Sequence, residues 1–128
     1  MVTLDNPLLD LAASGELPAF DRIRPEHAEP AIDALLAQSR AALAQRLADP
    51  APPTWEGFAE PLEESGDRLA RAWSAIGHLW GVSNTEAWRA AYNACLPKVT
   101  AWGLELAQSE PLYRAWEALA RAPGFDDE

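Results

Sequence analysis

No His-Glu-x-x-His segment, no Gly-x-Ser-x-Gly elbow and no Gly-rich loop between a strand and a helix occurs in these 128 residues. Their absence removes the usual local signatures of a zinc peptidase helix, a serine hydrolase and a phosphate cradle. Cys95 is the only cysteine, which excludes an internal disulfide and a thiolate metal cluster. It falls in an apolar-periodic segment, so a buried, inert thiol is expected rather than a nucleophile. His27 and His78 are the only histidines and lie far apart in the chain. A zinc site needs three or four N, S or O ligands. No catalytic, cofactor-binding or metal-binding residue is therefore assigned to this chain.

Positive charge is also scarce. Ten Lys and Arg stand against twenty Asp and Glu, a formal net charge of −10. Residues 1–64 carry twelve acids and four bases, residues 65–128 eight and six. Nucleic-acid binding rests on Lys and Arg neutralising phosphates, so a nucleic-acid partner is excluded and an anionic membrane surface disfavoured. No apolar run approaches the roughly 18–20 residues of a membrane span. The N-terminus has no basic region followed by an apolar core, so no signal peptide is read there and a cytoplasmic location is expected. Alternating strand patterns and Asn-Gly or Asp-Gly hairpin turns are missing too.

The chain instead carries a helical grammar rich in tryptophan. Six tryptophans and an apolar share of 48% fit one globular domain with a core of its own. Asn6-Pro7 can cap a short helix carrying Leu8, Leu9 and Leu11, ended at Gly15. Leu17-Pro18-Ala19-Phe20 reads as an extended strap. Pro25 opens a helix whose first turn is expected near 25–28, with the helix proper from about Pro30, because proline lacks an N–H and clashes with the preceding turn. Ile32, Leu35, Leu36, Leu43 and Leu47 form its stripe.

Asp49-Pro50-Ala51-Pro52-Pro53 is a stiff stop, and Thr54 caps the next helical segment. Trp55, Phe58, Leu62, Gly66, Leu69, Trp73, Ile76 and Trp80 recur there at steps of three and four, with an early kink or restart at Pro61. Ser83-Asn84-Thr85-Glu86 reads as a capping box. The helix after it carries Trp88, Tyr92, Cys95, Val99, Trp102 and Leu106, with a bend expected at Pro97. Ser109-Glu110-Pro111 starts the last helix, with Leu112, Tyr113, Trp116 and Leu119, and Ala122-Pro123-Gly124 stops it. The fold class expected is all-α: an antiparallel up-and-down bundle of about four main helices plus a short N-terminal helix and extended arm. The divisions are 1–24 for the arm, 25–122 for the bundle and 123–128 for an acidic tail.

The densest stretch is Trp73–Asn84, with His78 and two glycines among its aromatics. His78 lies one position off the seam. Its two readings are a histidine hydrogen-bonded between helices and a contact to a ligand or another domain. Gly77 and Gly81 are spaced to let another backbone approach. His78, Trp80, Asn84, Trp88 and Trp102 are the candidate interface or structural-signature residues.

Several segments, in order, resemble the N-terminal part of the M3 family of zinc oligopeptidases. They include Asn6-Pro7-Leu8-Leu9, the run from Leu17 to Ile32, Thr54-Trp55-Glu56, Pro61-Leu62-Glu63, Ser74-Ala75-Ile76-Gly77-His78-Leu79, Gly81-Val82-Ser83-Asn84, Arg89-Ala90-Ala91-Tyr92 and Leu96-Pro97. The resemblance covers nearly all of this sequence but only about the first fifth of a typical family member. It implies a helical, clam-like cytoplasmic enzyme that cleaves short peptides in a deep channel with a bound zinc. The zinc ligands of that family lie beyond the part matched, so zinc belongs to the parent enzyme. For this chain the resemblance implies a non-catalytic portion that forms part of the channel wall. Its partner is the remaining catalytic part, and it is inactive alone.

Two departures stand out. Trp80 occupies a position where the family often carries a small polar residue, so a change in local packing or a filled contact surface is expected. Family chains also continue into further helices after the Leu112–Leu119 segment, whereas this sequence closes on Gly-Phe-Asp-Asp-Glu. The alternative reading is a free-standing helical interaction module that binds a protein or peptide through a tryptophan-rich face. On the oligopeptidase reading, an exposed apolar patch is expected where the family's further helices would pack, drawn in part from the tryptophans of the last two long helices.

Overall fold

A computed structural model describes residues 6–14 and 22–121. The expected strap at Leu17–Phe20, the stop at Gly15 and the tail at 123–128 lie outside the described residues. Among the described residues the regular structure is helical: α1 (Pro7–Ser14), α2 (Pro25–Ala48), α3 (Glu60–Ser83), α4 (Glu86–Gln108) and α5 (Glu110–Ala120). A π-helical turn, Trp55–Ala59, leads into α3. The bundle is all-α and antiparallel. Helix α2 is its centre and packs on both α3 and α4, while α1 lies across α3 and α2.

The short helix forms as its sequence requires. The Asn6 Oδ1 accepts from the Leu8 N–H at 3.0 Å, meeting one of the donors a helix start leaves open. The Asn6 side-chain amide donates in turn to the His27 carbonyl at 3.0 Å, fixing α1 against the start of α2. At the other end of α1, Arg71 donates to the Ala12 carbonyl at 2.8 Å, placing a cation at the negative helix end. Leu8, Leu11 and Ala12 are buried in the same core as α2, α3 and α4, so this helix of the arm is part of the body.

Helix α2 differs from its expected start. It runs unbroken from Pro25, with Pro30 inside it. Pro30 is the sixth residue of the helix, so it forfeits one intrahelical bond, to the Glu26 carbonyl; the packing of the neighbouring Ala28, Ala31 and Ile32 in the core holds the helix through it. The start is held instead by His27, whose Nδ1 accepts from the Arg24 N–H at 2.9 Å. Ala28, Ala31, Ile32, Leu35 and Leu36 make the buried stripe. Leu43 and Leu47 are only partly buried.

The approach to α3 is tighter in its logic than a simple kink. Thr54 caps the turn, accepting from the Gly57 N–H at 3.0 Å. The widened π turn then passes into α-helix at Glu60, just before Pro61. In a regular helix the Gly57 carbonyl would accept from residue 61, which as proline has no N–H. Arg46 of α2 donates to that carbonyl at 3.1 Å.

The turn from α3 to α4 is displaced by two residues from the expected capping box. Asn84 ends α3 in the left-handed region at φ 43°, its N–H bonded to the Trp80 carbonyl at 3.1 Å. Thr85, not Ser83, is the cap of α4 and accepts from the Trp88 N–H at 3.1 Å. Asparagine tolerates this backbone better than most side chains. Helix α4 continues through Pro97 without interruption. Ser109 caps α5, accepting from the Leu112 N–H at 3.3 Å.

The interior falls into two clusters. The larger joins α1–α4 and includes the fully buried Leu8, Ile32, Ile76 and Cys95. The smaller joins Phe58, Ala59, Leu112 and Leu119, where α5 folds onto the π turn. Leu43 and Leu106 touch both.

Candidate functional site

The residues singled out from the sequence separate into two groups. Trp80 and Asn84 stand at the α3–α4 turn. There the Tyr92 ring lies nearly parallel to two indoles, with centroids 4.9 Å from Trp73 and 4.5 Å from Trp80. Trp73 and Trp80 are two helical turns apart, a rise of about 10.5 Å, which leaves a slot one ring wide between them. Trp80 therefore fills a packing position while keeping 39% of its surface exposed. Arg89 locks the turn, donating to the Asn84 carbonyl at 2.9 Å and to its Oδ1 at 3.1 Å. His78 is exposed on α3.

Trp88 and Trp102 are buried in the larger core. They do not contribute to an exposed face, because the inward stripe of α4 carries both. The Arg40 guanidinium lies 5.3 Å from the Trp102 ring centroid and pairs with Glu105 through two contacts of 3.1 and 3.2 Å. Among the described residues the exposed large apolar side chains are others: Trp80, Val82, Leu96, Leu104, Tyr113 and Trp116. Gly77 and Gly81 are also not points of close approach, since a Cβ at either would meet nothing within 4 Å.

Cys95 has no exposed surface. Burial, reinforced by the nearby Glu29, pushes its thiol up to about 11, so the thiolate needed for nucleophilic chemistry is disfavoured. Beside it Lys98 bridges Asp33 at 2.8 Å and Glu29 at 2.7 Å, and these two hydrogen bonds hold its ammonium above the ordinary lysine range. Among the described residues no group of three His, Cys, Asp or Glu could hold a metal ion. The donor set of the described residues does not fit a zinc site.

Among the described residues, one of several concave features is an apolar cleft of about 550 Å³. It opens where the first turns of α3 diverge from the last turns of α4, away from the tight turn at Asn84. Leu62, Ser65 and Gly66 line it from α3, and Trp102, Gly103 and Leu106 from α4. Leu43 contributes from α2, and Leu112, Tyr113 and Trp116 from α5. Trp116 is held edge-on to Phe58 with centroids 5.2 Å apart. Glu63 is the charged residue on the described lining. The two glycines face this space without need from the chain itself: a Cβ at Gly66 or Gly103 would meet nothing within 4 Å. Each costs its helix up to about 1 kcal/mol relative to alanine. Trp102 is the candidate residue that touches the cleft. The periodicity of α5 is the available signal for the rest, but a cleft depends on how helices splay, which spacing does not encode.

The described residues thus offer an apolar surface and no reactive constellation. Residues 32–127 match the family described as neurolysin/thimet oligopeptidase, N-terminal domain. The chain belongs to that family. The oligopeptidase A of Haemophilus influenzae is 40% identical over 126 residues, which are 98% of this chain and 18% of that protein. Oligopeptidase A of Salmonella typhimurium is 40% identical over 116 residues, 91% of this chain and 17% of that one. The probable cytosolic oligopeptidase A of Arabidopsis thaliana is 38% identical over 121 residues, 94% of this chain and 17% of the plant protein. This N-terminal domain therefore spans less than a fifth of the length of these relatives. No solved structure matches it. No helix among the described residues is long and apolar enough to cross a membrane.

Proposed function

We propose that this chain serves as the non-catalytic N-terminal helical part of a zinc-dependent oligopeptidase. It forms part of the wall of the channel in which short peptides are cleaved, and it is inactive alone. The observation that carries this reading is the match of 98% of the chain to the oligopeptidase A of H. influenzae, of which it covers 18%. The partner is then the remaining catalytic part of the enzyme, with short peptides as the parent's substrates and zinc as the parent's metal. A cytoplasmic location goes with that role.

The isolated 128-residue chain is expected to retain no stoichiometric zinc after dialysis and to leave a set of short synthetic peptides uncut. In a chimera it should replace the matched segment of H. influenzae oligopeptidase A with peptide cleavage preserved. Cleavage by the isolated chain with one bound zinc overturns the reading. So does a chimera that folds without activity.

A further inference from the structure

Between about pH 5.5 and 7.5 ordinary carboxylates stay ionised and ordinary Lys and Arg side chains stay protonated, so histidine is the side chain that titrates. The chain has two, His27 and His78. His27 stands partly buried in the first turn of α2, where its ring and its backbone hold two different helix starts.

The ring closes α2. Its Nδ1 accepts from the Arg24 N–H at 2.9 Å, while the His27 N–H donates back to the Arg24 carbonyl at 3.0 Å. The backbone holds α1. The His27 carbonyl accepts from the Asn6 side-chain amide at 3.0 Å, and the same Asn6 caps α1 through its Oδ1. Asn6 is buried, so a shift of the His27 carbonyl is felt directly at the start of α1.

Only a neutral imidazole can accept at Nδ1. The imidazolium carries a donor on both nitrogens and no acceptor, so it would set an N–H against the Arg24 N–H. A cation in the first turn is also opposed by the positive helix end. Arg22 and Arg24, just ahead of the helix, act in the same direction. Glu26 and Glu29 on α2 and Asp10, the charged residue of α1, act against it. All five are exposed and screened by water, and Glu29 is already tied to Lys98 of α4 at 2.7 Å. His78 is the titratable group of the second half of α3 and is exposed. The contact hydrogen bond and the helix end therefore decide the direction.

We propose that His27 is an acid-sensitive clasp on the N-terminal arm. Neutral, it closes the first turn of α2 and fixes α1 to it. Protonated, it opens that turn and loosens α1, while the core between α2, α3 and α4 stays closed. The hold is complete above the histidine range and is lost as pH falls through it.

Amide protection in the 128-residue chain, corrected for the intrinsic effect of pH on exchange, tests this at about pH 7.5 and 5.5. Residues 8–14 and 24–28 should lose about threefold to tenfold in protection at the lower pH, and residues 32–39 and 72–79 should lose none. His27→Gln supplies a neutral acceptor at the capping-box position that glutamine suits, so those residues should keep their protection at both pH values. His27→Ala removes the acceptor and should show at pH 7.5 the low protection that the parent reaches in acid. His78→Gln should respond to acid as the parent does.

Equal protection of residues 8–14 and 24–28 in the parent at both pH values overturns the proposal. So does an acid response that survives His27→Gln and His27→Ala, or one that His78→Gln abolishes. A loss spread evenly over all the helices is global unfolding and overturns it as well.

Discussion

The Arg46 guanidinium donates to the Gly57 carbonyl at 3.1 Å, supplying a donor to the carbonyl that Pro61 cannot serve. This contact joins the end of α2 to the π turn that begins the longest seam. It also explains how a proline is admitted one residue into α3. Without a donor from outside the helix, the carbonyl would depend on water or remain unpaired.

Replacing Arg46 by methionine keeps much of the aliphatic packing and removes that donor. A destabilisation of about 1 kcal/mol is expected, below the roughly 1.5–3 kcal/mol of a buried bond to a charged group because water reaches this exposed contact. Urea unfolding of the two proteins measures it. Equal midpoints would show that water satisfies the carbonyl as well as arginine does.

The stack of Trp73, Tyr92 and Trp80 is expected to be energetically coupled. Each aromatic pair contributes roughly 0.5–1.5 kcal/mol beyond its buried area. Tyr92→Leu should therefore cost about 1–3 kcal/mol. In a cycle with Trp80→Leu the two losses should fall short of additivity by about 1 kcal/mol. Additive losses would mean that Trp80 rests on the surface without engaging the ring.

Asn84 offers a backbone test at φ 43°. Asn84→Ala should destabilise by about 1 kcal/mol, because a Cβ without a compensating polar group is strained in the left-handed region. Asn84→Gly relieves the strain but loses the Oδ1 contact to Arg89, so it should lie between parent and alanine. Thermal melts order the three. Alanine as stable as the parent would remove the structural role assigned to Asn84.

Cys95 predicts a loss of stability in alkali. Its folded value of about 11 lies above its ordinary value near 9, so the folded state holds the proton over that window. The contribution is complete below pH 9 and is lost as pH rises through 11, by about 2–3 kcal/mol. Lys98 is raised as well and adds a change of the same sign. Cys95→Ala should cost stability at neutral pH but flatten the alkaline decline. At pH 8 the native thiol should resist iodoacetamide and react on unfolding. Rapid native alkylation would contradict the burial.

Much of the bundle is legible in the sequence because helix starts and stripes are local. Asn6, Thr54 and Ser109 carry cap chemistry in their own side chains, and each caps where its spacing indicates. Pro30 and Pro97 are less readable. A helix interior accepts proline when tertiary packing on both sides outweighs one lost bond, and no window of sequence reports that packing. The Ser83–Glu86 pattern fits a capping box, but Asn84 in the left-handed region moves the cap to Thr85. Tryptophan number points to an exposed aromatic face, whereas Trp88 and Trp102 turn inward and Trp116 and Tyr113 outward. Spacing assigns stripes to helices, not helices to neighbours.

The division of the interior around Leu43 and Leu106 gives the chain two grades of persistence. Helix α5 is anchored by a handful of apolar side chains on the π turn, while α1–α4 share a far larger buried body. Undocking of α5 exposes the small cluster and leaves the large one sealed, so it is a subglobal opening of low cost rather than a step of global unfolding.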